Sequence, residues 1–291
     1  MEPPLLAALE LGGTKAVGAL GRPGGAPSVR MRIATTTPGE TLSAVAAALR
    51  ESARGEPITA LGVAAFGPLN LAAGRVARTP KPGWSGADLR GALSAALDCP
   101  VAVDTDVNGA ALAEHQRGAG RGSRVMAYVT VGTGIGGGLI VDGRPLHGLL
   151  HPEMGHLRSR RVAGDDYPGC CPFHGDCLEG MASGPAIVGR FGTTLDGLGP
   201  EHPFRDTLAS YLGQLAAAIV LVASPERIVI GGGVMGTSGL HERVAGAMRA
   251  ELADYVAAPA LDAPGYVVPP ALGEDSGILG GLLMAEALTA R

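Results

Sequence analysis

Hydrophobic residues run through this chain in strand-length blocks broken by glycine. The segment LLAALELGGTKAVGAL, from Leu5 to Leu20, reads as a strand, a glycine turn and a second strand, because apolar runs flank residues able to take positive φ. MAYVTVGTGIGGGLIV, from Met126 to Val141, has the same build. Each is followed by a further strand and then by mixed patterns. The spacing predicts helices over Thr41 to Arg54 and Leu208 to Ala223, and strands over Leu61 to Ala65 and Arg227 to Ile230. The expectation is an α/β chain built from a duplicated unit, with two lobes around a central cleft. No Pro/Ser-rich linker separates the halves, so the boundary is compact and lies near Asp104 to Arg121. Residues 1–105 are expected to form a smaller lobe, with a final helix at 276–291 packing back on it. Residues 106–275 are expected to form a larger lobe carrying a loop at 151–180. In such architectures ligands sit in the crevice at strand ends.

At 291 residues the chain is long enough for one large core or two medium ones. Its net charge of −4, without Lys/Arg runs or interleaved aromatics, gives no electrostatic footprint for a polyanion, so nucleic acid is not an expected partner. The longest apolar stretch, Leu215 to Ala223, is too short for a membrane span, and Met1-Glu2-Pro3-Pro4 lacks the basic start of a secretory signal. A cytoplasmic protein is expected. Three of the four cysteines cluster beside His174, which fits metal ligation in a reducing compartment better than a disulfide framework.

Neither Gly12-Gly13-Thr14-Lys15 nor the turn from Gly132 to Gly138 fits the P-loop or the dinucleotide fingerprint, since each joins two strands instead of opening a helix. A glycine hairpin can still offer backbone N–H groups to phosphate oxygens, with Thr14, Thr130 or Thr133 adding hydroxyl donors. One such turn is ordinarily a tight hairpin; two of them, the second including Gly134, point to a nucleoside triphosphate. A third cluster, Ile230-Gly231-Gly232-Gly233-Val234-Met235, lies between a strand and a helix, where bare backbone lets a flat ligand approach. Together they point to ATP.

Asp104-Thr105-Asp106-Val107-Asn108 stands where the strand Val101 to Val103 ends and a helix running to Arg117 begins. One of the two aspartates is expected to cap the helix. The other is expected to accept a proton from a substrate hydroxyl as that hydroxyl attacks the γ-phosphorus. Glu10, just before the first turn, is placed to hold Mg²⁺, a hard cation that needs oxygen ligands beside phosphates. Cys171-x-x-His174-x-x-Cys177 supplies three ligands for tetrahedral Zn²⁺, with His151 or His156 as a fourth and Cys170 as an alternative to Cys171. Glu153 and Glu179 flank these ligands without being needed by zinc. Carboxylates on a metal-stiffened loop suit bidentate hydrogen bonding to adjacent sugar hydroxyls.

In order, Glu10-x-GGTK, DTDVNGAALAE, VTVGTGIGGG, HPEMGH, CPFHGDCLEG, ASGPA and IGGGVM resemble the sugar kinases of the ROK family over nearly the whole chain. Glu at position 10, TPKPGW from Thr79 to Trp84 and the Cys-x-x-His-x-x-Cys run are most similar to its bacterial fructokinases. The resemblance implies an actin-like (ribonuclease H-like) ATPase fold, Mg²⁺-ATP, transfer to a hexose hydroxyl, and a homodimer. It implies Asp106 as the base. It further implies Thr105, Glu153, His156, Glu179, Gly67 and Thr79 as sugar contacts, and His156, Cys171, His174 and Cys177 as zinc ligands. Thr130, Thr133, Pro185 and residues 231–235 match ATP-contacting segments. A broad hexokinase acting on mannose or glucose, or an N-acetylmannosamine kinase, is the second choice. The family's sugar-responsive repressors carry a winged helix ahead of the first glycine turn, for which a turn starting at Gly12 leaves no room, so an enzyme is expected.

Overall fold

The computed structural model describes residues 2–290. The chain divides into two compact units: Met1–Ala113 with His147–His151 and Glu274–Arg291, and Glu114–Leu146 with Pro152–Gly273.

In the first unit β1 (Leu5–Leu11), β2 (Lys15–Gly21) and β3 (Val29–Ala34) form an antiparallel meander. It is followed by α1 (Pro38–Ala53), β4 (Ile58–Ala65), a two-stranded ribbon of β5 (Leu69–Asn70) and β6 (Arg75–Val76), α2 (Leu89–Leu97), β7 (Val101–Thr105) and α3 (Asp106–Arg117). The sheet order is β3-β2-β1-β4-β7, with β4 parallel to both β1 and β7. β1 and β4 read as near-continuous apolar runs because a central parallel strand is covered on both faces. α1 begins at Thr37, whose hydroxyl accepts from the Glu40 N–H while the Glu40 carboxylate accepts from the Thr37 hydroxyl, with Pro38 in the first turn. Leu42, Val45, Ala46 and Leu49 then recur at helical spacing and bury one stripe in the core.

The second unit repeats the plan. β8 (Val125–Val131), β9 (Ile135–Val141) and β10 (Arg144–Pro145) are antiparallel. After α4 (Leu178–Ala182), α5 (Gly184–Phe191) and α6 (Phe204–Ala223), β11 (Arg227–Gly231) adds in parallel, followed by α7 (Leu240–Leu252) and β12 (Val267–Val268). The order β10-β9-β8-β11-β12 matches that of the first sheet, so the duplicated α/β build is present in the connectivity itself.

α8 (Ser276–Thr289) returns to the first unit and packs Ile278, Leu282 and Ala285 on Leu6, Ala8 and Ala60. That approach needs bare backbone: a Cβ on Gly62 would lie 1.9 Å from the Gly281 carbonyl oxygen.

The chain leaves the first unit inside α3, between Ala113 and Glu114, eight residues beyond the boundary expected at 105/106. The reason is Glu114, whose fully buried carboxylate accepts from the N–H groups of Ala119, Ala271 and Leu272, all in the second unit. Residues 147–151 rejoin the first unit, with His147 on Asp104 and the His151 Nε2 accepting from the Leu69 N–H at 3.0 Å. α6 is longer than its unbroken apolar run. At 20 residues it is long and apolar enough, by length and composition, to cross a membrane, but 56% of its apolar window is buried inside the protein, as in a core helix.

Candidate functional site

Three parallel strands of the first unit end in one row, since Leu11 pairs with Ala65 and Ala65 with Thr105. The residues that follow these ends are Gly12, Phe66 and Asp106, with Gly67 one position beyond Phe66. With neighbouring strands about 4.8 Å apart, the first and last of these strand ends lie about 10 Å apart. The glycine turn after β1 has its carbonyls occupied. Gly12 O accepts from the Thr35 hydroxyl at 2.9 Å, Thr14 O from the Thr35 N–H at 3.0 Å, and Gly13 O from the Lys81 ammonium. Among the described residues nothing accepts from the Gly13 and Thr14 N–H groups, and both residues are exposed, so the turn presents donors outward. Beside it, burial raises the Glu10 carboxyl above its ordinary range; Lys15 opposes this, and Glu274 and Asp275 add to it. A half-buried carboxylate at a cluster of N–H donors is where a hard divalent cation can accompany phosphate.

At the end of β7 the aspartates have different settings. Asp104 is buried, its Oδ1 accepting from the Thr105 N–H at 2.7 Å and the Asn108 Nδ2 at 2.8 Å, while its Oδ2 meets the His147 Nε2 at 2.9 Å. The hydrogen bond that His147 donates to Asp104 raises the His147 pKa against an opposing effect of burial. Asp106 is half-buried in the first turn of α3, its Oδ1 accepting from the Val107 N–H at 2.9 Å. Neither aspartate caps the helix. The cap is Thr105, whose hydroxyl oxygen accepts from the Asn108 N–H at 3.1 Å, because β7 extends to Thr105 and sets that residue at the half-in position. Thr105 is itself buried, so the hydroxyl matched to a sugar contact is already engaged with backbone. Gly67 and Thr79 are half-buried, and the Thr79 N–H donates to the Ser85 hydroxyl at 3.1 Å.

In the second unit His156, Cys171, His174 and Cys177 bring one ligand atom each to within 4.8 Å of one another. The Cys171 Sγ lies 3.8 Å from the His156 Nδ1 and 3.7 Å from the His174 Nδ1, and the Cys177 Sγ lies 3.6 Å from the His156 Nδ1. A tetrahedral zinc with ordinary bond lengths separates S and N donors by about 3.6 Å, close to these three S–N distances, so the donor set suits that ion. Cys170 is exposed and outside the cluster, and His151 is committed to Leu69, which leaves Cys171 and His156 as the donors. Burial pushes the Cys177 thiol up to about 11; a bound cation would reverse this by taking the thiolate. The loop is seated on β9 through Gly155, whose hydrogen stands where a Cβ would come within 1.8 Å of the Ile135 carbonyl oxygen.

Glu153, exposed, immediately precedes the short 3-10 turn Met154–His156. Glu179 enters α4, and its Oε2 accepts from the Ile135 N–H at 3.1 Å, which sets it against the second glycine turn. In that turn Thr133 is exposed, Gly132 O accepts from the Gly184 N–H at 2.8 Å, and Pro185 stands exposed in the first turn of α5. After β11, Gly232 and Gly233 are exposed while Val234 and Met235 turn into the core, so this segment offers a ligand backbone and not side chains.

Residues 6–287 match the ROK family. The chain belongs to that family. Among its relatives, a fructokinase of Zymomonas mobilis is 42% identical over 88% of each chain. A ROK hexokinase of Thermus thermophilus superposes with a TM-score of 0.82 at 30% identity, covering 98% of this chain and 99% of the other. A ROK glucokinase of Streptomyces griseus, solved with glucose and AMPPNP, gives 0.78 at 25% identity, covering 97% and 99%. Seen as a ROK protein, the chain brings its predicted zinc ligands together and places Gly12 and Asp106 at one sheet edge. Three participants carried no signal of their own in the sequence: His147, Thr35 and Lys81. Only Lys81 lay within a noted motif, TPKPGW, and there it served as a family marker.

Proposed function

We propose that this protein is a sugar kinase that transfers the γ-phosphoryl group of ATP to a hexose hydroxyl, with D-fructose the substrate and fructose 6-phosphate the product. Support for the sugar comes from the fructokinases among its relatives. The observation that carries the reaction class is the shared row of strand ends, which sets Asp106 and a turn with two outward N–H donors at one sheet edge. Asp106 accepts the proton of the attacking hydroxyl. The new bond forms between that oxygen and the γ-phosphorus, and the bond from phosphorus to the β,γ-bridging oxygen breaks, leaving ADP. Because the transition state is loose, the base acts mainly by orienting the nucleophile. Glu10 would hold Mg²⁺, directly or through water, and the ion would supply charge neutralisation on the phosphate oxygens. Glu153, His156 and Glu179 hold sugar hydroxyls. His156 turns its Nδ1 to the cysteines, which leaves its Nε2 for a hydroxyl. Zinc in the four-donor cluster is structural and fixes these three residues.

We assign a reducing cytoplasm, where the thiols stay available as ligands. We assign a homodimer, for which the exposed Leu221 and Val222 at the end of α6 offer apolar surface. The test is ADP release from Mg²⁺-ATP with fructose, mannose, glucose and N-acetylmannosamine in parallel, with and without zinc chelation. A preference for fructose that collapses on chelation is expected. Comparable rates on several hexoses would replace fructokinase by a broad hexokinase, and no sugar-dependent ADP would end the kinase reading.

A further inference from the structure

Lys81 directs its charge at a neutral carbonyl, with the Trp84 ring a distant second partner at 6.0 Å from the ammonium. Its ammonium donates to Gly13 O, and among the described residues no carboxylate pairs with it. A single hydrogen bond of this kind at a partly exposed site contributes little to net stability, because water would solvate both groups in its place, yet the surrounding loop is built to hold the side chain there. Pro80 and Pro82 fix the backbone on either side of it. Trp84 is fully buried, and its indole Nε1 donates to the Thr36 carbonyl at 2.9 Å. The Ser85 hydroxyl accepts from the Thr79 N–H at 3.1 Å and donates to the Thr79 carbonyl at 3.2 Å. A lysine aimed by a rigid loop at one carbonyl of a turn, whose neighbouring N–H groups are bare, adds a full positive charge to a cluster of donors. That combination suits an anion at the turn far better than it suits the turn alone.

We propose that Lys81 is a further residue of the phosphoryl-transfer machinery: its ammonium leaves or shares Gly13 O to meet the oxygens of the transferred phosphoryl group. The proposal rests on the kinase reading above. During transfer negative charge is spread over the equatorial oxygens of that group, and a compact, flexible ammonium can follow it as a point charge. Thr35 would keep the other carbonyls of the turn occupied throughout, so the turn holds its shape while Lys81 changes partner.

The experiment compares wild type, Lys81→Ala and Lys81→Arg with Mg²⁺-ATP and fructose. Sugar affinity is followed by calorimetric titration and folding by thermal unfolding. The expected result is a fall in kcat of roughly 10²–10³-fold for Lys81→Ala, the range for removing one charge-stabilising donor. The sugar Kd should stay within about twofold and Tm near that of wild type, with part of the rate returning in Lys81→Arg. Added methylammonium should raise the Lys81→Ala rate in proportion to its concentration and leave wild type unchanged. Unchanged kcat in Lys81→Ala would overturn the proposal, as would a loss shared by sugar affinity and Tm without amine rescue, since a mere loop staple behaves that way. Wild type inactive on every hexose would instead fail the kinase reading, and the proposal with it.

Discussion

Asp104 and Asp106 stand two residues apart on opposite sides of the junction between β7 and α3, and their surroundings divide their labour. Asp104 is saturated by Thr105, Asn108 and His147, which makes it an anchor, while Asp106 keeps the more open position at the strand end. Asp106→Asn is therefore expected to lower kcat by roughly 10²–10⁴-fold with little change in sugar affinity; steady-state kinetics beside sugar titration check this, and unchanged turnover removes the base assignment. His147 gives a pH signature. Its folded pKa is raised by Asp104, so its stabilisation is complete below the unfolded value of about 6.5 and is lost as pH rises through the higher folded value. Since 43% of the His147 side chain is exposed, solvent screening holds the effect to about 0.2–1 kcal/mol. Thermal unfolding should show His147→Gln further below wild type at pH 5.5 than at pH 9, and a gap of the same size at both would contradict the pairing. At this scale the sequence was legible where spacing encodes geometry, as in Cys171-x-x-His174-x-x-Cys177. It was silent on Asp104 and His147, 43 positions apart, because only tertiary structure brings an irregular loop to a strand end.

Elements were readable where a period or a cap imposes them. Thr37-Pro38 with Glu40 announces α1, and paired glycine turns announce the two hairpins. What periodicity does not encode is which backbones touch. Gly62 in an apolar strand signals close approach by something, but that the something is Gly281 in α8 is a fact of packing. Gly62→Ala would force its methyl group onto the Gly281 carbonyl and should cost about 1–3 kcal/mol, the usual range for overpacking, read as a lower Tm. The loop from Glu153 to Glu179 is the opposite case, with little regular structure and a donor cluster at its centre. Zinc removal with a chelator should lower Tm by about 5–10 °C, given roughly 2–4 °C per kcal/mol for a domain of this size, and readdition of zinc should restore it. A Tm indifferent to chelation would leave the four donors as a thiol–imidazole cluster without an ion.

The duplication is the feature of the whole molecule that a sequence reader sees first, because two glycine hairpins in matching settings repeat within one chain; the structure carries it into two sheets of identical strand order. The division between the units is harder to see. It falls inside α3, and the chain returns to the first unit at 147–151 and again at 274, because buried polar groups such as Glu114 and His151 choose their partners by tertiary geometry. Each unit has its own apolar core, one under α1 and α2 with a second layer at α8, the other around α6 and α7. If those cores are energetic as well as geometric units, a perturbation placed in one should loosen that one first. Hydrogen exchange resolved by segment can read this. Gly62→Ala is expected to reduce protection in 5–11, 58–65 and 276–289 before it touches 151–182, whereas zinc chelation is expected to do the reverse. Loss of protection in both sets at once from either perturbation would show one cooperative core, and the boundary drawn by contacts would then have no counterpart in stability.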